Sequence, residues 1–191
     1  DDVLTIKGDY LNLIHEVVFS DEVIVSEKDF TSHTRYEIKV RVPVEARTGV
    51  IGVGGIDETL EENAELIPNI IYSEDELTVA QPEVTSMTAT RFIANASVKI
   101  SGRNLNYVAT LNLPGAPATE FTVNGAGTEI VFNLPAVAQD GTAVLVAKSG
   151  VEVEAGNYVT VVPTSLSASP SPVKAGSVLT IKGNDLGLVT G

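Results

Sequence analysis

Apolar and polar residues alternate through most of this chain. In Val3-Leu4-Thr5-Ile6, Leu4 and Ile6 fall on one side; in Glu37-Ile38-Lys39-Val40-Arg41-Val42, the apolar side chains again take every second place. Val98 and Ile100, and then Ile130 and Phe132, repeat the pattern. A period of two is the signature of a strand with one face in a core. It predicts that Leu4, Ile6, Val40, Val42, Val98, Ile100, Ile130 and Phe132 point inward. One stretch departs from it. Asp57-Glu58-Thr59-Leu60-Glu61-Glu62-Asn63-Ala64 has an N-cap residue, acidic first-turn residues and a stop at Pro68. It predicts a short helical turn on an exposed acidic insertion spanning 57–76.

The same text recurs. VLTIKG stands at Val3 to Gly8 and again at Val178 to Gly183, with a weaker copy at Ser97-Val98-Lys99-Ile100-Ser101-Gly102. Each copy is a strand followed by a Gly, two further residues and a Leu. A second landmark is a strand closing in Pro: Tyr36 to Pro43 matches Thr128 to Pro135, and each precedes a Gly turn and another apolar strand. A third pairs Leu77 to Pro82 with Val159 to Pro163. The order of strands is thus written twice and begun a third time. Many short alternating strands in units of this size predict an all-β fold of β-sandwiches. The predicted boundaries are a first unit at 1–80, without its opening strand, a second at 81–163, and the first strands of a third at 164–191.

With these motifs assembled, the chain resembles the IPT/TIG family of immunoglobulin-like domains. The resemblance is carried by apolar-Thr-Ile-x-Gly-x-x-Leu, the strand ending in Val-Pro, Thr48-Gly49-Val50, and Ser169-Pro170-Ser171-Pro172-Val173-Lys174-Ala175-Gly176-Ser177 before the last VLTIKG. Unit two departs from the family pattern, with Arg91 to Ala96 in place of a Pro/Gly-rich stretch. The resemblance implies tandem immunoglobulin-like β-sandwiches similar to those of Bacteroidetes cell-surface lipoproteins. There such domains serve as spacers, or as parts of glycan-binding and adhesion-like proteins. It also implies a cell-surface location, on an outer membrane through a lipid anchor upstream, or secretion.

Composition narrows the chemistry. The chain has 191 residues, 43% of them hydrophobic, enough for real cores. Its net charge of -13 repels a phosphate backbone and an anionic bilayer at long range. A Rel-like DNA-binding role, which the immunoglobulin resemblance permits, lacks the basic stripe it needs. There are no cysteines, so disulfides and thiolate chemistry are excluded. No apolar run reaches the length of a membrane span, so no direct membrane insertion is expected. The abrupt start at Asp1-Asp2, directly before a strand, reads as a mature or excised product.

Individual residues offer little catalysis. His15 lies in a strand pattern and His33 in a polar turn, and neither has zinc or triad partners at a defined spacing. Gly52-Val53-Gly54-Gly55 lacks the helix and Lys of a phosphate loop and reads as a strand end and turn. Asp57, Glu58, Glu61, Glu62, Glu65, Glu74, Asp75 and Glu76 lack the alternation of a calcium loop and read as a solvated insertion. Paired carboxylates for glycoside hydrolysis would need a cleft. With no Trp, the ring platforms that sugars favour could come only from Tyr10, Tyr36, Tyr72, Tyr107 and Tyr158. Tyr10 and Tyr107, which follow the Gly turns, are expected to be packing residues. Asn95-Ala96-Ser97 spells a glycosylation acceptor, without meaning in a bacterial protein.

Two functional readings follow. One is a non-catalytic spacer or scaffold module in a surface protein whose partner is a polysaccharide or another surface protein. The other is an accessory region of a polysaccharide-degrading enzyme. No catalytic residue, metal or cofactor is assigned, and the ligand contacts are unknown. Residues 164–191 are expected to find a partner strand, either on the open edge of unit one in a neighbouring molecule, through Val178, Leu179 and Ile181, or in the rest of a longer protein.

Overall fold

A computed structural model describes residues 2–55, 70–88 and 90–188. They form two compact units, residues 1–81 with 148–151, and residues 82–147 with 152–191. Both are tandem immunoglobulin-like β-sandwiches, as the alternation and the repeat predict.

In unit one, β1 (Val3–Lys7), β4 (Phe30–His33) and β5 (Glu37–Arg41) make one sheet, in the order β1-β5-β4. The other sheet joins β2 (Glu16–Phe19), β3 (Val23–Ser26), β6 (Gly52–Gly54) and β7 (Ile71–Tyr72), in the order β3-β2-β6-β7. Their inner faces enclose Leu11, Val17, Phe19, Ile38 and Val40.

Unit two has the same plan with more strands. The first sheet holds β8 (Glu83–Met87), β10 (Ser97–Arg103), β13 (Thr122–Val123) and β14 (Glu129–Asn133), in the order β13-β14-β10-β8. The second holds β9 (Arg91–Phe92), β11 (Val108–Leu113), β12 (Ala116–Thr119), β15 (Gly141–Ala147) and β16 (Glu152–Thr160), in the order β12-β11-β15-β16-β9. Only β9, which runs parallel to β16, departs from antiparallel pairing among the described ladders. With β8 as strand A, the sheets take the A-B-E-D and C′-C-F-G orders of an immunoglobulin domain, with β9 added beside G. The core between them includes Val98, Ile100, Leu105, Leu111, Ile130 and Leu145.

The predicted inward residues sort by strand position. Val40, Val98, Ile100 and Ile130 are fully buried and Phe132 nearly so. Leu4, Ile6 and Val42 only lean on the core of unit one. The reason is the sheet order: β10 lies between two strands, whereas β1 has one partner among the described residues. The helical turn expected at Asp57 to Ala64 lies outside the described residues.

The final segment forms its own hairpin-like pair, β17 (Thr164–Ser169) with β18 (Thr180–Asn184). Ala168 faces Ile181 and Ser169 faces Thr180. Every residue of both strands is exposed, and Val178 is 83% exposed. Within the chain the two strands are therefore each other's partners.

Candidate functional site

The motif that repeats also builds the surface feature of most chemical interest. After each motif Gly comes a residue in the left-handed backbone region and a short 3-10 turn led by Leu. These residues are Tyr10 (φ 60°), Asn104 (φ 56°) and Asp185 (φ 56°). The turns are Leu11–Leu13, Leu105–Tyr107 and Leu186–Leu188. Leu11 and Leu105 plug the cores of their own units. Burying that Leu requires the chain to reverse sharply just before it, which the left-handed residue accomplishes.

In unit one this turn is tied to the turn before β5. Gly8 N–H donates to the Tyr36 carbonyl (3.2 Å) and Leu11 N–H to the Arg35 carbonyl (2.9 Å). The same two bonds recur in unit two, Gly102 to Thr128 (2.9 Å) and Leu105 to Gly127 (2.8 Å). Tyr10, Arg35 and Tyr36 thus occupy the places held by Asn104, Gly127 and Thr128.

The side chains differ completely. The Arg35 guanidinium carbon lies 4.4 Å from the Tyr10 ring centre and 5.4 Å from that of Tyr36. Arg35 Nε donates to Asp9 Oδ1 at 2.7 Å, and the Tyr10 amide donates to the same oxygen at 2.9 Å. The guanidinium beside Asp9 holds its carboxyl below the ordinary carboxylate range, and the Tyr10 amide acts in the same direction. Tyr10 and Tyr36 are 60% and 61% exposed, and Leu13 at the end of the same turn is 61% exposed. The expectation that Tyr10 packs is corrected: its ring lies on Arg35, outside the core. Tyr107 is half-buried.

The remaining residues singled out in the sequence are dispersed. His15 Nδ1 meets Glu27 at 2.8 Å. His33 Nε2 bonds the Leu11 carbonyl at 2.9 Å and its ring meets Phe30 edge-on, so it braces the turn. Gly52–Gly54 is strand β6, and Gly55 leads out of it. Glu74, Asp75 and Glu76 are exposed, while Asp57, Glu58, Glu61, Glu62 and Glu65 lie outside the described residues. No group of three His, Asp or Glu among the described residues is placed to hold a metal ion. Tyr72 is exposed on β7. Tyr158 is buried on β16, and its hydroxyl has no hydrogen-bond partner among the described residues. Burial, and then the Asp140 charge, push the Tyr158 phenol above its ordinary value. Asp140 Oδ1 accepts from the hydroxyl and the amide of Thr160, both at 2.7 Å, which lowers its carboxyl. Asn95 has φ 63° in the turn before β10.

The Tyr-Arg-Tyr corner was not assembled by reading the sequence. The signal available was a Tyr in the slot that the other two copies fill with Asn and Asp.

No family model matches the chain. No curated protein sequence matches it either. Among solved structures, it is similar to the SGBP-B from a complex xyloglucan utilization locus in Bacteroides uniformis, at 17% identity and a TM-score of 0.37, covering 82% of this chain and 45% of that one. It is similar to the SGBP-B of the Bacteroides ovatus mixed-linkage glucan utilization locus, solved with a mixed-linkage heptasaccharide, at 18% identity and a TM-score of 0.35, covering 90% and 46%. A third is the surface glycan-binding protein PbSGBP-B from Prevotella bryantii, at 20% identity and a TM-score of 0.39, covering 82% and 36%. The chain spans less than half the length of each. At these scores the likeness bears no weight in the roles assigned below, and the IPT/TIG resemblance rests on the motifs of the chain.

Proposed function

We propose that this chain is a non-catalytic spacer or scaffold module of a cell-surface or secreted glycan-binding or adhesion-like protein of Bacteroidetes type. The observation that supports the reading is serial repetition. One sandwich plan is built twice, and β18, paired with β17, carries the same motif a third time. Domains in series lengthen a chain at little cost in contacts between distant parts, because each buries its own core. The division at 1–80, 81–163 and 164–191, and an anchor upstream of Asp1, belong to this proposal. None of the described helices is long and apolar enough to cross a membrane.

Two measurements test it. Incubated with neutral and acidic polysaccharides, the pure chain should release no reducing ends. Hydrolysis that one Asp or Glu substitution abolishes would overturn the reading. Strand-mediated self-association through residues 164–191 is a separate part of the proposal, suggested by β1 having a single partner strand among the described residues and by the exposed apolar residues of the tail. Mass in solution decides it: the full chain should form dimers or larger species that a chain ending at Pro163 does not. Monomers in both cases, equally stable to heat, end the idea.

A further inference from the structure

We propose that the corner formed by Asp9, Tyr10, Arg35 and Tyr36 is a contact site for a neutral, pyranose-based glycan. This goes beyond the spacer role, which stands or falls separately.

Conformation supplies the first argument. The backbone at Tyr10 is left-handed, where an Asn, Asp or Gly is at ease and an aromatic residue is strained. The other two copies of the motif place Asn104 and Asp185 there. The fold therefore does not require a tyrosine, and the tyrosine is the less favourable choice for the backbone. Its ring is not repaid by burial, being 60% exposed.

The second argument is placement. Backbone bonds fix the two turns to each other in both units, and the side chains of Tyr10, Arg35 and Tyr36 take no part in those bonds. Unit two decorates it with Asn104, Gly127 and Thr128. Unit one decorates it with two rings and a guanidinium. Arg35 lies over one face of each ring, and Asp9 fixes Arg35 in turn, so the rings are oriented before any ligand arrives. Two ordered, exposed rings cost little entropy to engage.

Chemistry selects the ligand. The apolar C–H face of a pyranose stacks on a phenol ring, while its hydroxyls need donors and acceptors at the ring's edge. The Asp9 carboxylate and the Arg35 guanidinium are both within the corner. Asp9 already balances the charge of Arg35, so a uronate or sulfated sugar gains no unpaired cation there. The net charge of -13 opposes anions at longer range. A protein partner would need about 800 Å² of surface, far more than the Tyr10, Tyr36 and Leu13 side chains present.

The experiment is an amide-resonance titration of the full chain with gluco-, xylo- and manno-oligosaccharides, and with an oligogalacturonate as the anionic comparison. At least one neutral oligosaccharide should shift Tyr10, Arg35 and Tyr36, with an affinity on the order of 1 mM. Tyr10→Asn, which gives unit one the residue of unit two, should weaken that binding about tenfold and leave thermal stability equal or higher. Tyr36→Thr should act in the same direction. The proposal is overturned if no neutral oligosaccharide shifts these residues, if the oligogalacturonate alone binds, or if Tyr10→Asn binds as the parent does. Each of those results leaves the spacer reading intact.

Discussion

Strands β1 and β10 are written with one motif, yet they meet different neighbours. On β10, Gly102 passes so close to β8 that a side-chain carbon there would collide with the Glu83 carbonyl. On β18, Gly183 is crowded in the same way by the Thr164 carbonyl of β17, 2.9 Å from where such a carbon would lie. Just after β1, the corresponding carbon at Gly8 would have the Leu11 side chain as its nearest neighbour, at 3.3 Å. The Gly of this motif thus admits the antiparallel strand paired alongside it, and the requirement is silent in unit one because no described strand pairs on that side of β1. One sequence feature has different energetic weight in two units of the same molecule.

That comparison can be broken by substitution. The largest effect is expected in the cores. Ile100→Ala, on a fully buried side chain between two strands, should destabilise unit two by about 3–4 kcal/mol. Ile6→Ala, at the matching place on the edge strand β1, should cost unit one roughly half as much, because part of its surface is already wet. Denaturant unfolding followed by unit-specific amide signals reads both, and equal losses would show that β1 is as well covered as β10.

The glycine pair comes next. Gly102→Ala should cost about 2–3 kcal/mol, since backbone must move to admit the methyl group. Gly8→Ala should fall within about 0.5 kcal/mol of the parent, since only a flexible leucine must give. A Gly8→Ala loss as large as that of Gly102→Ala would reveal a strand against β1 that the described residues do not contain.

A smaller effect separates the two tyrosines near the last strands. Tyr158→Phe removes a buried hydroxyl that has no described partner, so unit two should keep its melting temperature or gain a degree or two, on the order of 0.5 kcal/mol. Tyr72→Phe, on an exposed ring, should change nothing measurable. A clear loss at Tyr158→Phe would mean that its hydroxyl is bonded in solution.

Local pattern alone determined the fold class, the repeats and some of the strands, β1, β5, β10 and β14 among them, while the strand expected at Leu77 to Pro82 is only an isolated bridge between Gly49 and Leu77. Alternation every second residue is a property of neighbouring letters, and it placed Val40, Val98, Ile100, Ile130 and Phe132 in cores without any knowledge of partners. The same pattern overstated the burial of Leu4, Ile6 and Val42, because inward direction is set by the pleat whereas coverage is set by which strands lie alongside. Only the tertiary structure decided that. It also decided the Tyr-Arg-Tyr corner. Tyr10 and Arg35 are far apart in sequence and come together only because backbone bonds from Gly8 and Leu11 close one turn upon another. A left-handed backbone at Tyr10 leaves no mark in the alternation, since a single φ follows from the need to bury Leu11 beneath it.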